Sequence, residues 1–197
     1  MTEDNRWLRE RTRSGDDYDA TYDRRAAAGE NVHGEADFVE RFHPRSVLDA
    51  GCGTGRVGRE LARRGIDVVG VDIDPEMLGT AEHKGEGAEW VLADLAAVDL
   101  GRRFDAVVMA GNVMIFLAPG TEAAVVSNLA RHLEPGGVFI AGFQLQPGRL
   151  SLDDYDAHCI AAGLTLAERW STWDRDPWVP GGAYAVLVHR ASLAPDS

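Results

Sequence analysis

The sequence predicts an α/β domain: a seven-stranded, mostly parallel sheet with helices on both faces and an antiparallel hairpin at its C-terminal end. Three observations carry this. From Ser46 onward, short apolar runs of strand length alternate with helical stretches. A glycine cluster, Gly51, Gly53 and Gly55, stands directly after the first apolar run. The last third ends in two β-rich runs joined by a Trp- and Pro-bearing loop without helical periodicity. With 197 residues, 45% hydrophobic and 26% charged, the chain has the size and composition of one globular domain, so residues 1–197 are expected to form a single unit.

Residues 1 to about 45 are polar, with Trp7, Leu8, Tyr18, Tyr22, Val32, Phe38, Val39 and Phe42 as sparse apolar points; they are expected to form an N-terminal helical cover. The spacing of Phe38, Val39 and Phe42 suits an amphipathic helix. The first buried strand is Ser46 to Asp49, followed by the glycine cluster and a helix carrying Val57 and Leu61 on one face. Arg63, Arg64 and Gly65 close that helix, with cations at the negative end of its dipole and a glycine where a left-handed residue is needed. Strand two is Ile66 to Val71, after which Asp74-Pro75 reads as an N-cap with proline at the first helical position.

Strand three is Glu89 to Leu92 and strand four Phe104 to Met109. A helix from about Thr121 to Leu133 is expected to reach strand five, Val138 to Phe143, through a Glu134-Pro135-Gly136-Gly137 turn. Ser151-Leu152-Asp153-Asp154 reads as a capping box opening a helix with the stripe Leu152, Tyr155, Cys159 and Ala162, ended by Gly163. Strands Leu164 to Trp170 and Ala183 to His189 make the hairpin.

The net charge of −12 disfavours a phosphate backbone as the main partner, which argues against nucleic acid. Two cysteines, Cys52 and Cys159, make no disulfide framework and no metal spacing, so no metal is expected. The N-terminus lacks the basic start and apolar run of a signal peptide, and no long apolar stretch occurs. These readings point to a cytoplasmic protein without a membrane segment; they set no oligomeric state.

The glycine loop lies between a strand and a helix, where bare backbone lets a ligand approach and unpaired N–H groups are on offer. Gly53, Gly55 and Gly58 satisfy GxGxxG, and Asp72 follows Gly53 by 19 positions, near the place of an acid that holds an NAD ribose. Alone, this pattern does not name a cofactor. The whole run Val47-Leu48-Asp49-Ala50-Gly51-Cys52-Gly53-Thr54-Gly55 puts an acid before the first glycine, which suits an ammonium or sulfonium and repels a pyrophosphate.

This run resembles motif I of the class I S-adenosylmethionine-dependent methyltransferases. The resemblance continues in Val69-Gly70-Val71-Asp72-Ile73-Asp74, in Leu92-Ala93-Asp94-Leu95, in Phe104-Asp105-Ala106-Val107-Val108-Met109 and in Leu133-Glu134-Pro135-Gly136-Gly137, in order, over about residues 45 to 143. It implies a Rossmann-like fold, S-adenosyl-L-methionine as cofactor and S-adenosyl-L-homocysteine as product. It further implies that Asp72 takes the ribose hydroxyls and Asp94 the adenine amino group. The implied cofactor-binding set is Asp49, Ala50, Gly51, Gly53 and Gly55 from the loop, with Asp72, Ile73, Asp94, Leu95, Ala110 and Gly111 from later strand ends.

The acceptor side carries less signal. Ala110-Gly111-Asn112-Val113-Met114 stands where methyltransferases acting on amines of DNA bases carry Asn/Asp-Pro-Pro-aromatic, so a small-molecule acceptor is expected. Catalytic candidates are His33 and Tyr22, with Tyr18 beside them; His132 and His158 read as structural, and Cys52 as loop packing. Trp173, Trp178 and Phe143 read as packing ahead of pocket lining. Two other readings remain: a catalytically silent S-adenosylmethionine-binding protein, and an NAD(P)-dependent oxidoreductase. The latter is disfavoured because no Tyr-x-x-x-Lys pair follows strand four and Lys84 is the only lysine.

Overall fold

The computed structural model describes residues 5–11, 14–85 and 87–193, with the side chain of Tyr18 outside that set. The strands are β1 (Ser46–Ala50), β2 (Asp67–Asp72), β3 (Ala88–Leu92), β4 (Phe104–Met109), β5 (Leu133–Gln144), β6 (Leu164–Trp170) and β7 (Tyr184–Ala191). They form one sheet in the order β3-β2-β1-β4-β5-β7-β6. The first five run parallel, whereas β7 is antiparallel to both β5 and β6. The chain winds outward from β1 to β3 and then restarts at β4 on the other side of β1, which places the topological switch point between β1 and β4.

Alternation along the strands divides the core into two layers. Leu48, Val69, Val107 and Phe139 face helices α6 (Val113–Phe116), α7 (Glu122–Ala130) and α8 (Leu152–Ala161), meeting Ile115, Val126, Leu129 and Tyr155. Val47, Val68, Ala106, Val108 and Ile140 face α3 (Gly34–Glu40) and α4 (Arg56–Arg63), meeting Phe38, Val39, Val57 and Leu61. The amphipathic stretch expected at Phe38, Val39 and Phe42 is therefore a core helix. Only α1 (Arg6–Glu10) and α2 (Gly15–Ala27), with no buried apolar residue among the described side chains, remain as cover.

The three glycines of the GxGxxG pattern do different things. Gly55, at φ 72°, is the N-cap of α4, and a Cβ there would sit 2.4 Å from the Trp90 ring. At Gly58 it would sit 3.2 Å from that indole, so these two make room for a side chain of β3. Gly53, at φ 55°, would point a Cβ into open space. It is the one of the three with bare backbone facing a void.

Two expectations are corrected. The helix expected to run from Thr121 to Leu133 ends at Ala130, and Leu133 already pairs with Phe104 of β4. Glu134-Pro135-Gly136-Gly137 is consequently a bulge inside β5: the register jumps from Phe104↔Leu133 to Ala106↔Val138, and Gly136 takes φ 76° to allow it. The remaining caps stand where the sequence puts them. Ser151 accepts from the Asp154 N–H, and Asp74 accepts from the Glu76 N–H at the start of α5 (Pro75–Lys84).

Candidate functional site

The carboxyl ends of β1, β2 and β4 open on a cleft of about 490 Å³, walled by the glycine loop, by residues after β3 and β4, and by α1 and α2. Besides Glu10 of α1, three aspartates line it, each at the end of a strand, where a helix or turn begins with N–H groups to satisfy. Asp49 is buried, and its Oδ2 accepts the Gly58 N–H at 2.9 Å, capping the first turn of α4 from across the loop. Burial pushes its carboxyl up to about 7, against the pull of that N–H and of Arg56.

Asp72 takes the Gly53 N–H at 2.7 Å on Oδ2 and the Asp74 N–H at 2.9 Å on Oδ1, which ties the glycine loop to the end of β2. Burial raises its carboxyl as well, countered by the N–H groups of Asp74 and Gly53. Asp94 accepts the Ala96 N–H at 2.9 Å, shaping the turn after β3. Behind that turn Asn128, buried on α7, donates to the carbonyls of Leu95 at 2.9 Å and Val98 at 2.8 Å.

Of the residues singled out from the sequence, Asp49, Gly51, Gly53, Asp72, Ile73, Asp94, Leu95, Ala110, Gly111 and Tyr22 line the cleft together. Ala50 and Gly55 do not: Ala50 is fully buried in the sheet, and Gly55 faces Trp90. His33 is placed elsewhere too. It lines a separate cavity of about 420 Å³ behind α2, with its Nδ1 3.9 Å from Glu60. Tyr22 stands between the two cavities with the Arg56 guanidinium 4.2 Å over its ring. Trp173 packs edge-on against Phe38 and bonds Tyr184, Phe143 packs against Tyr155, and neither they nor Trp178 line the cleft. Cys52 does line it, but burial pushes its thiol well above the ordinary range, the opposite of an activated nucleophile.

The opposite wall belongs to the N-terminal segment, through contacts that no short sequence pattern reports. Trp7 donates its indole N–H to Asp74 at 2.9 Å and packs edge-on against Phe116, with ring centroids 5.4 Å apart. Arg11 approaches the same Asp74 at 3.3 Å and bonds Glu76 at 2.6 Å. Glu10 pairs with Arg149 at 3.1 Å. The short helix α1 thus straps the cleft from α5 to α6. Gly111 and Asn112 form the floor beyond β4, both left-handed, at φ 72° and 71°. For Asn112 that conformation is strained, and it is held by its N–H to the Gly142 carbonyl and by Oδ1 accepting the Gln144 N–H at 2.8 Å.

Among the described residues no cluster of three or more potential metal ligands occurs, and no helix is long and apolar enough to cross a membrane.

A family model described as a methyltransferase domain matches residues 47–137. The chain is 31% identical over 175 residues to a dTDP-3-amino-3,6-dideoxy-alpha-D-glucopyranose N,N-dimethyltransferase of Streptomyces fradiae, covering 85% of this chain and 67% of that protein. It is 38% identical over 99 residues to a magnesium-protoporphyrin O-methyltransferase of Rhodobacter capsulatus, of which it spans 43%. Among solved structures, a TehB-like SAM-dependent methyltransferase from Corynebacterium glutamicum superposes with a TM-score of 0.82 at 34% identity, covering 90% of this chain and 97% of that one. A SAM-bound amino pentose methyltransferase from Micromonospora echinaspora, at 23% identity and a TM-score of 0.74 over 89% of this chain and 96% of its own, shares the fold.

Proposed function

Because the chain belongs to the class I S-adenosylmethionine-dependent methyltransferase family, we propose that the cleft at the ends of β1 to β4 is its donor site and that it methylates a small molecule entering beneath α1 and α2. The observation that carries this is the convergence of Asp49, Asp72 and Asp94, from three successive strand ends, on one void beside Gly53.

The residues present fit the donor. A void of about 490 Å³ lies within the roughly 300–1,000 Å³ typical of small-molecule sites. Gly53 leaves backbone bare toward that void, and its carboxylates ask for hydroxyls, an amine and a cation rather than a pyrophosphate. Asp72 is assigned the ribose hydroxyls, Asp94 the adenine amino group, and Asp49 the positive methionine end. When bound, S-adenosylmethionine supplies an activated methyl group on a sulfonium. The protein's part is then chiefly alignment: the glycine loop and the strand ends hold the donor, while Asn112, Tyr22, Trp7 and Phe116 shape the space an acceptor enters. The first acceptors to test are amine-bearing sugars, because the Streptomyces fradiae and Micromonospora echinaspora relatives are named for amino-sugar substrates.

The proposal is tested by titrating the protein with S-adenosylhomocysteine, then following radiolabelled methyl transfer to a panel of amino sugars, hydroxylated metabolites and porphyrins. Transfer to an amine supports the reading. Binding without transfer to any acceptor class favours a silent cofactor-binding protein.

Two results are expected from this arrangement. Burial holds the Asp49 carboxyl up at about 7. A cationic ligand favours its carboxylate, so binding near neutrality releases a proton, and affinity rises as pH increases through about 7. The sign for folding is the reverse: a carboxyl raised from 3.8 to about 7 stabilises the ligand-free fold below about pH 4, and that contribution is lost as pH rises through 7. Calorimetry in buffers of different ionisation enthalpy reads the proton, and Asp49→Asn should abolish it. A pH-independent affinity in the wild-type protein would contradict the assignment.

His33 stands outside the cleft, so His33→Ala is expected to keep turnover within about twofold and to leave the pH–rate profile unchanged. A loss of roughly 10²-fold, the scale of a general base, together with disappearance of the low-pH limb of the profile, would restore it to catalysis.

A further inference from the structure

Among the described side chains of helix α2, none is a buried apolar anchor. Among its described side chains, the two residues it buries are Gly15 and Asp19. A carboxylate on so polar a helix is costly to remove from water unless donors surround it. Asp19 has 5% of its side chain exposed and takes donors from three elements: the Thr54 hydroxyl of the glycine loop, Arg59 Nη2 of α4 at 2.9 Å and Lys84 Nζ at the end of α5 at 3.1 Å. Gly15 reaches the same threonine, since a Cβ there would lie 3.4 Å from Thr54 Cγ2 and 2.4 Å from Thr80 Oγ1.

Thr54 is not an incidental partner. It is buried between Gly53 and Gly55, it lines the cleft, and its neighbour Gly53 gives its N–H to Asp72. Two hydrogen bonds, joined by the Gly53–Thr54 peptide link, therefore connect Asp19 to the strand end assigned to the ribose. Three residues along the same helix, Tyr22 reaches the cleft, so whatever fixes Asp19 also fixes how far Tyr22 projects.

We propose that Asp19 is a positioning residue for the donor site: held between the Thr54 hydroxyl and the Arg59 and Lys84 cations, it locks the glycine loop and α2 in one relative position, so that donor binding and closure of α2 over the cleft form a single linked equilibrium. The proposal rests on the donor-site reading above. Linkage makes it reciprocal: a ligand on the loop holds α2 down, and loosening α2 weakens the ligand.

The test uses the full chain with S-adenosylhomocysteine, reading affinity by calorimetry and α2 docking by limited trypsin cleavage at Arg24 and Arg25. In the wild-type protein the ligand is expected to slow cleavage at both arginines. Asp19→Asn is expected to weaken binding about tenfold or more and to remove that protection. Asp16→Asn, the same charge change on an exposed position of the same helix, should alter neither. Thr54→Val should reproduce Asp19→Asn, Thr54→Ser should restore wild-type behaviour, and the Asp19→Asn/Thr54→Val double variant should be no weaker than either single one. The threonine pair decides the matter if Asp19→Asn does not fold. Binding by Asp19→Asn within twofold of wild type, binding by Thr54→Val within twofold of wild type, or α2 cleavage unaffected by ligand in the wild-type protein would overturn the proposal while leaving the donor site intact. Failure of the wild-type protein to bind S-adenosylhomocysteine would overturn the donor-site reading and this inference with it.

Discussion

Replacing Asp72 by Ala is expected to weaken S-adenosylhomocysteine binding by about 1.5 to 3 kcal/mol, a factor of roughly 10 to 150, the scale of hydrogen bonds made to a charged group. The carboxylate does two jobs. It is the acceptor proposed for the ribose hydroxyls, and it also ties down the N–H groups of Gly53 and Asp74. Asp72→Asn keeps one acceptor for those N–H groups and should lose less, so the difference between the two variants separates loop support from ligand contact. Unchanged affinity in Asp72→Ala would remove this strand end from the site.

Deleting residues 1–30 is expected to lower the same affinity by more than tenfold while costing little of the fold. α1 and α2 bury no apolar side chain among those described, and the first N-terminal residues in the core are Ala36, Phe38 and Val39 of α3. Yet Asn5, Trp7, Arg11 and Tyr22 line the cleft, and Trp7 and Arg11 both grip Asp74, one residue beyond the Asp72–Ile73 wall. Thermal unfolding and calorimetry on the truncated chain give the two numbers. A melting temperature that collapses while binding per folded molecule persists would show these helices to be a brace and not a cover.

The aspartate side of this cleft was legible because each of its parts has a local signature. Asp49, Asp72 and Asp94 sit at ends of apolar runs, and all three also satisfy the helix or turn that follows, which is why an acid there reads the same whether it caps or binds. A helical cover is expected from the sequence, but its contacts are illegible for the opposite reason. Trp7 meets Asp74 and Phe116, and Arg6 meets the Ile115 carbonyl, across separations no short pattern reports. Asp19 is hidden in the same way: in sequence it is one of several acids on a polar helix, and only its neighbours from the glycine loop, α4 and α5 distinguish it.

Elsewhere the local reading was right about chemistry and wrong about context. Glu134-Pro135-Gly136-Gly137 has turn residues, and the chain does turn there, but as a bulge between two stretches of one strand, because Leu133 finds a partner in Phe104 before the bend. His33 opens α3 from its N-cap position, and the helix carries it behind α2, on the far side of Tyr22 from the strand ends. Gly55 falls among the glycines of GxGxxG, a pattern that does not say which glycine faces a ligand and which a tryptophan.

The void at the ends of β1 to β4 is proposed as a site for an adenosyl sulfonium donor and not for a dinucleotide. The most direct measurement is a pair of calorimetric titrations of the wild-type protein at pH 8, one with S-adenosylhomocysteine and one with NAD. Saturable one-to-one binding of S-adenosylhomocysteine, with no heat from NAD beyond dilution over the same range, is the predicted result. Tighter binding of NAD, or no binding of S-adenosylhomocysteine, would contradict it.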